Sequence, residues 1–156
     1  MIRQWCNPIL LDPMFKDGNY TPENPPLRGL AASLELVTLT ALAPAWADRV
    51  FQRRPADCDL PPESALGNLF AVESAIEQTA RSRALLADAN SFLRLAKAVQ
   101  LFDVTKLKDR LKAKILWIPA KQDKLLLPEY ADQGVLDLRA LGLDVQTVQI
   151  ETDGGH

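Results

Sequence analysis

One stretch near the C-terminus narrows the folds open to this chain. Lys114-Ile115-Leu116-Trp117-Ile118-Pro119-Ala120-Lys121-Gln122-Asp123 is an apolar run of strand length that ends in a polar turn carrying one carboxylate. A second strand-like run, Val145-Gln146-Thr147-Val148-Gln149-Ile150, ends in Glu151-Thr152-Asp153-Gly154-Gly155-His156. Between them Tyr130 to Leu141 has the length of a helix, entered after Pro128-Glu129 and stopped by Gly142. Strand, helix and strand in this order predict a βαβ unit, right-handed and parallel. Parallel strands are normally buried on both faces within a larger sheet. Two of them alone leave both edges and much apolar surface unpaired. No repeat or low-complexity tract in the chain offers the missing strands.

Upstream the pattern is helical. Ile2 to Leu11 mix apolar and polar residues, and Asp12-Pro13 and Asp17-Gly18 supply two turn signals. Tyr20 to Arg28, with Pro22, Pro25 and Pro26, reads as an extended loop. Leu30, Leu34, Val37 and Ala41 then recur at helical spacing, widened by Leu36 and Leu39, until Pro44 bends or ends the run. After a polar, proline-bearing connection, Ser64 is the expected N-cap of a helix reaching about Leu86, with Leu69, Val72, Ile76 and Ala80 on its buried face. Asp88, Asn90 and Ser91 offer caps for a third helix, whose stripe is Phe92, Leu95, Ala96, Val99 and Phe102. The expectation is an α-helical block followed by an α/β piece.

Composition removes several function classes. A formal net charge of −2 over 156 residues gives no electrostatic reason to expect nucleic acid or an anionic membrane as partner. The mild cluster Lys106, Lys108, Arg110, Lys112 and Lys114 reads as a solvated helix end and linker. No apolar stretch approaches the roughly 18 residues of a membrane helix, and the N-terminus lacks a basic-then-apolar signal pattern. Cys6 and Cys58 are too few and too far apart for a disulfide framework or metal knuckle, and read as small buried or partly buried residues. With His156 the sole histidine, a His/Cys metal site has too few ligands. A reduced cytoplasmic protein without metal is the default. Trp5, Tyr20 and the Phe92–Val99 stripe read as packing rather than as a ligand pocket.

From the residues alone, Asp123 reads as a carboxylate in a solvated turn, and His156 as a base aimed by its Asp153-Gly154-Gly155 turn or as a frayed end. Their order, acid and then histidine, each after a parallel strand, is also the order of the last two members of a hydrolase triad. Further segments extend the likeness: Asp12-Pro13 through Gly18-Asn19-Tyr20, Pro26 through Gly29-Leu30, and Arg49-Val50-Phe51-Gln52-Arg53. Val72-Glu73-Ser74, Asp88-Ala89-Asn90-Ser91-Phe92-Leu93, Phe102-Asp103 and Asp153-Gly154-Gly155-His156 follow in the same order. Together these resemble the homoserine O-acetyltransferase family of the α/β-hydrolase superfamily, over essentially the whole chain but only the middle and later part of the family's length.

The resemblance implies a partial α/β-hydrolase fold, with a helical lid region over residues 1–109 and the C-terminal βαβ part of the core over 110–156. It implies Asp123 as triad acid and His156 as triad histidine, acyl-CoA as co-substrate, a small-molecule acceptor, and a homodimer through the lid helices. The family's nucleophile is a serine in a Gly-x-Ser-x-Gly-like elbow. Ser33, Ser64, Ser74, Ser82 and Ser91 lack the flanking glycines, so the nucleophile is expected outside this chain. The family's tail beyond the histidine, with an acidic residue implied in holding the substrate amine, is likewise not among these residues. The arginine and tyrosine implied in binding homoserine fall, counted from Gly29-Leu30, on Leu34 and Ala41. A carboxylate-bearing acceptor would lose its guanidinium partner there. The expected function is therefore part of an acyltransferase with a less polar acceptor, inactive alone. The alternatives are an esterase of the same fold and a non-catalytic truncated protein.

Overall fold

Two compact units make up the structure, a computed structural model that describes residues 2–156, with 107–109 described by backbone only. The side chains of Lys108, in the basic cluster, and of Asp109, where the lid region is expected to end, lie outside the described residues. One unit holds the residues through Leu39 together with Phe51–Leu101, and the other Thr40–Val50 with Phe102–His156.

In the first unit helix α1 (Ile2–Leu11) crosses the start of α2 (Leu27–Ala41), and the crossing depends on a glycine. A Cβ on Gly29 would stand 2.5 Å from the Pro8 carbonyl oxygen and 2.9 Å from the Ile9 Cα, both backbone atoms. Asp12 Oδ2 accepts the Gly29 N–H at 2.7 Å and Oδ1 the Met14 N–H at 2.9 Å, so one carboxylate ends α1 and begins α2. The core beneath is Ile9, Phe15, Leu30, Ala31, Ala84 and Ala89. Helix α5 (Ala89–Leu101) is capped by Asp88, whose Oδ1 accepts the Ser91 N–H at 2.7 Å. The Tyr20 hydroxyl donates to Asp88 Oδ2, and Asn90 Nδ2 donates to the Gly18 carbonyl at 2.9 Å. The Gly18-Asn19-Tyr20 and Asp88-Ala89-Asn90 segments are thus one structural lock.

Residues Ile2–Leu11, whose mixed pattern names no element, form a helix with Pro8 inside it. Three expectations are corrected here. Ser64 caps nothing: it ends a single 3-10 turn, Pro62–Ser64, and its hydroxyl donates to the Pro61 carbonyl at 2.9 Å. The helix, α4, runs only from Ala71 to Ala84 and opens with Glu73 Oε2 accepting the Phe70 N–H at 2.8 Å. On α5 the inward positions are Ala89, Phe92 and Leu93, whereas Leu95 and Val99 are 67% and 62% exposed. Of the cysteines, Cys6 is half-buried and its thiol is pushed up by desolvation, but Cys58 is exposed.

Ser33 is fully buried in α2, and its hydroxyl has no hydrogen-bond partner among the described residues. An unsatisfied buried hydroxyl carries its desolvation cost with no return. Ser33→Ala should therefore leave stability unchanged or raise it by about 1 kcal/mol, read from the urea midpoint. A loss of that size would contradict the packing described.

In the second unit the expected parallel pair is present. Strand β1 (Ile115–Trp117) pairs with β2 (Val145–Thr147) in the register Ile115↔Val145, Leu116↔Gln146 and Trp117↔Thr147. Helix α6 (Pro128–Ala140) joins them and buries Val135 and Leu138 against Val145, with Ile115, Trp117 and Leu143 around them. The Trp117 ring packs on the helix at Gly134, where an added Cβ would make only ordinary contact with the indole at 3.5 Å. Both strands are shorter than their apolar runs, yet the ladder continues: Val148 N–H donates to the Trp117 carbonyl at 3.0 Å and Ile150 N–H to that of Pro119 at 2.8 Å. On the other face Leu116, Ile118, Val148 and Ile150 are 48–56% exposed, the uncovered side that the βαβ reading anticipates. Short helix α3 (Pro44–Phe51) starts in the same unit.

Candidate active site

The extended ladder delivers two loops to one end of the β1–β2 pair. Lys121 N–H donates to the Ile150 carbonyl at 3.0 Å, after an isolated Ala120–Ile150 bridge, so the turn after β1 and the segment after β2 leave side by side. The first loop carries Asp123. Its carboxylate is only 8% exposed, and Oδ1 accepts the N–H groups of Leu125 and Leu126, each at 2.8 Å. Its Oδ2 lies 2.7 Å from His156 Nδ1. The solvated-turn reading of Asp123 gives way to a buried, fully engaged acceptor.

These contacts fix the electrostatics. Burial alone would push the Asp123 carboxyl up; hydrogen bonds from His156, Leu126 and Leu125 outweigh it and hold the group below its ordinary value. An ionised carboxylate only accepts, so the His156 Nδ1 must carry the proton. The neutral imidazole then presents Nε2 with a free lone pair. The ring is 44% exposed, open enough to meet a reacting group. Such a pair can take a proton at Nε2 and stabilise the resulting imidazolium against the Asp123 charge.

His156 is not a frayed end. Its N–H donates to the Ala41 carbonyl at 3.0 Å, Gly155 forms an antiparallel bridge with Leu42, and Ala43 N–H donates to the Gly154 carbonyl at 3.3 Å. Arg49 on α3 is ion-paired with Asp153 in the same turn. These contacts with residues 41–49 were not foreseen from the sequence. Arg49 and Asp153 lie 104 positions apart, and neither has a local pattern that names the other.

The remaining sequence candidates take other places. Ala41 is the last residue of α2 and serves through its backbone, whereas Leu34 is half-buried against the core of the first unit. Ser33 lies in α2, Ser74 and Ser82 in α4, Ser91 in α5, and Ser64 in its 3-10 turn. None of the five stands on a strand-to-helix elbow. Among the described residues no cluster of three or more His, Cys, Asp or Glu could hold a metal ion. No described helix is long and apolar enough to cross a membrane.

No protein-family profile matches the chain. Its sequence is 35% identical over 155 residues to a homoserine O-acetyltransferase of Methanosalsum zhilinae, covering 95% of this chain and 31% of that protein. It is 30% identical over 158 residues to a serine O-succinyltransferase of Stenotrophomonas maltophilia, covering 95% of this chain and 42% of that one. Among solved structures, esterase E22 superposes with a TM-score of 0.84 at 31% identity, over 99% of this chain and 44% of that chain. The homoserine O-acetyltransferase from Bacillus anthracis gives 0.78 at 25% identity, over 99% and 43%. The chain therefore spans less than half the length of the proteins it matches. Its architecture is part of an α/β-hydrolase fold.

Proposed function

We propose that this relative of the homoserine O-acetyltransferases supplies the acid and histidine of an acyltransferase triad whose serine lies outside the 156 residues. One observation carries the reading: a buried carboxylate with one oxygen filled by two backbone N–H groups and the other 2.7 Å from His156 Nδ1. In the first half-reaction the external serine Oγ attacks the acyl carbon of an acyl-CoA thioester while His156 Nε2 takes the serine proton. Collapse of the tetrahedral intermediate expels the CoA thiolate, which leaves with that proton. In the second, Nε2 takes the proton of an acceptor alcohol, whose oxygen attacks the acyl-serine ester, and returns it to serine Oγ. The acceptor is a small alcohol less polar than homoserine, because Leu34 and Ala41 stand where the family carries arginine and tyrosine. A homodimer through the helices of the first unit and a cytoplasmic location belong to the same reading; exposed Leu95, Val99 and Leu101 on α5 support the former.

The likeness to esterase E22 favours a second reading, in which water is the acceptor. The two separate by product. The chain joined to a segment bearing a Gly-x-Ser-x-Gly elbow is incubated with acetyl-CoA and a panel of small alcohols. Acyl transfer requires acetyl esters in excess of free acetate; release of acetate alone would replace it with hydrolysis. Without the serine-bearing segment the 156 residues should turn over neither substrate, and activity lost in His156→Ala would overturn that expectation.

A further inference from the structure

The histidine turn is held mainly through its backbone among the described residues. None of Thr152–His156 belongs to the apolar cluster of Val135, Leu138 and Val145. Within the turn Gly154 N–H donates to Thr152 Oγ1 at 3.1 Å, a purely local bond. Beside the Asp123 contact, its links to the unit among the described residues include the Gly155–Leu42 bridge, the Ala43–Gly154 and His156–Ala41 hydrogen bonds and the Arg49–Asp153 ion pair. The hydrogen bonds join two backbones and carry no side-chain specificity. The ion pair is different: it ties α3 to the residue three places before the histidine.

We infer that Arg49 is a positioning residue for His156, holding the Asp153–His156 turn to α3 so that the imidazole stays docked on Asp123. The inference rests on reading the acid–histidine pair as the site, but its test needs no turnover. The pair's side chains are 61% and 44% exposed, so losing the attraction should shift the docked-to-undocked ratio by no more than about fivefold. Reversing one charge adds a repulsion of similar size; the two factors multiply, so about threefold from each brings the shift to roughly tenfold.

His156 is the sole histidine, so its imidazole gives one unambiguous set of NMR signals in the labelled full chain. The variants are Arg49→Asp, Asp153→Arg and the double exchange carrying both. Each single reversal should weaken the protected Nδ1–H signal and speed exchange of the His156 backbone amide about tenfold. The double exchange should restore both to within about threefold, while amides of α6 stay protected throughout. Single reversals that leave the His156 amide unchanged would overturn the inference, as would a double exchange that restores nothing while α6 stays protected. Should a single reversal unfold the unit, the double exchange decides by itself. Asp123→Asn separates the two claims: if it leaves the imidazole signal untouched, the acid–histidine reading falls, and the amide exchange still decides the role of Arg49.

Discussion

Replacing Asp123 by asparagine, in the protein complemented with its serine-bearing segment, should lower kcat about 10³- to 10⁴-fold, the effect of the same change in an established triad. The geometry says why an isosteric change does so much. Oδ1 accepts two N–H groups, from Leu125 and Leu126, and an asparagine must keep its carbonyl oxygen there to satisfy them. That turns the amide NH₂ toward His156 Nδ1, which must then accept. The ring proton moves to Nε2, and the nitrogen that should take the serine proton is occupied. The loss corresponds to about 4–5.5 kcal/mol of transition-state stabilisation. The tautomer change is separately visible in the nitrogen shifts of the one imidazole. A loss below tenfold, with Nδ1 still protonated, would remove Asp123 from the mechanism.

Acid should weaken the docked pair on the same grounds. The Asp123 carboxyl is held below its ordinary value in the folded chain, so its stabilising contribution is complete above the unfolded value. It is lost as the pH falls through the lower folded value. The docked geometry should thus outlast the titration of an ordinary aspartate on the way down.

The parts of this site that can be read along the chain are those with a periodic or ordered signal. Ile115-Leu116-Trp117 and Val145-Gln146-Thr147 are short apolar runs around one helix, and a parallel unit follows from connection rules alone. Asp123 and His156 lie on the two segments that leave the same end of the paired strands, which the register sets side by side. Residues 41–49 carry no such signal. They fold with Phe102–His156 although Phe51–Leu101 lies between them in the sequence, and the contacts among the described residues include backbone hydrogen bonds and an exposed ion pair. Ser64 is a good capping residue by type, but Pro61-Pro62 before it and Gly67 after it favour a turn over a helix start. On α5 the stripe Phe92, Leu95 and Val99 has helical spacing, but only Phe92 of the three lies against the core, beside Ala89 and Leu93. Periodicity identified a helix there without saying which side is covered.

The second large effect concerns two adjacent glycines that look equivalent in sequence. A Cβ on Gly155 would stand 2.4 Å from the Ala41 carbonyl oxygen and 2.8 Å from the Ala43 nitrogen, at a φ of +92°. Both neighbours are backbone atoms held in the clip that fixes His156, so neither yields without breaking a hydrogen bond. The left-handed conformation adds about 1–2 kcal/mol for any L side chain, and a lost hydrogen bond about 1 kcal/mol more. Together these amount to about 3 kcal/mol against the docked turn, a population shift of roughly a hundredfold. Gly155→Ala should therefore cost about two orders of magnitude in kcat and release the His156 amide to exchange. The midpoint of unfolding should move little, because the core of Val135, Leu138 and Val145 is not involved. Gly154 is the control: a Cβ there meets only Thr152 Oγ1 at 3.5 Å, ordinary contact, so Gly154→Ala should retain activity within a fewfold. Equal tolerance at both positions would mean that the clip does not hold the histidine. Equal damage would mean that the turn tolerates no side chain, whatever its contacts with Ala41 and Ala43.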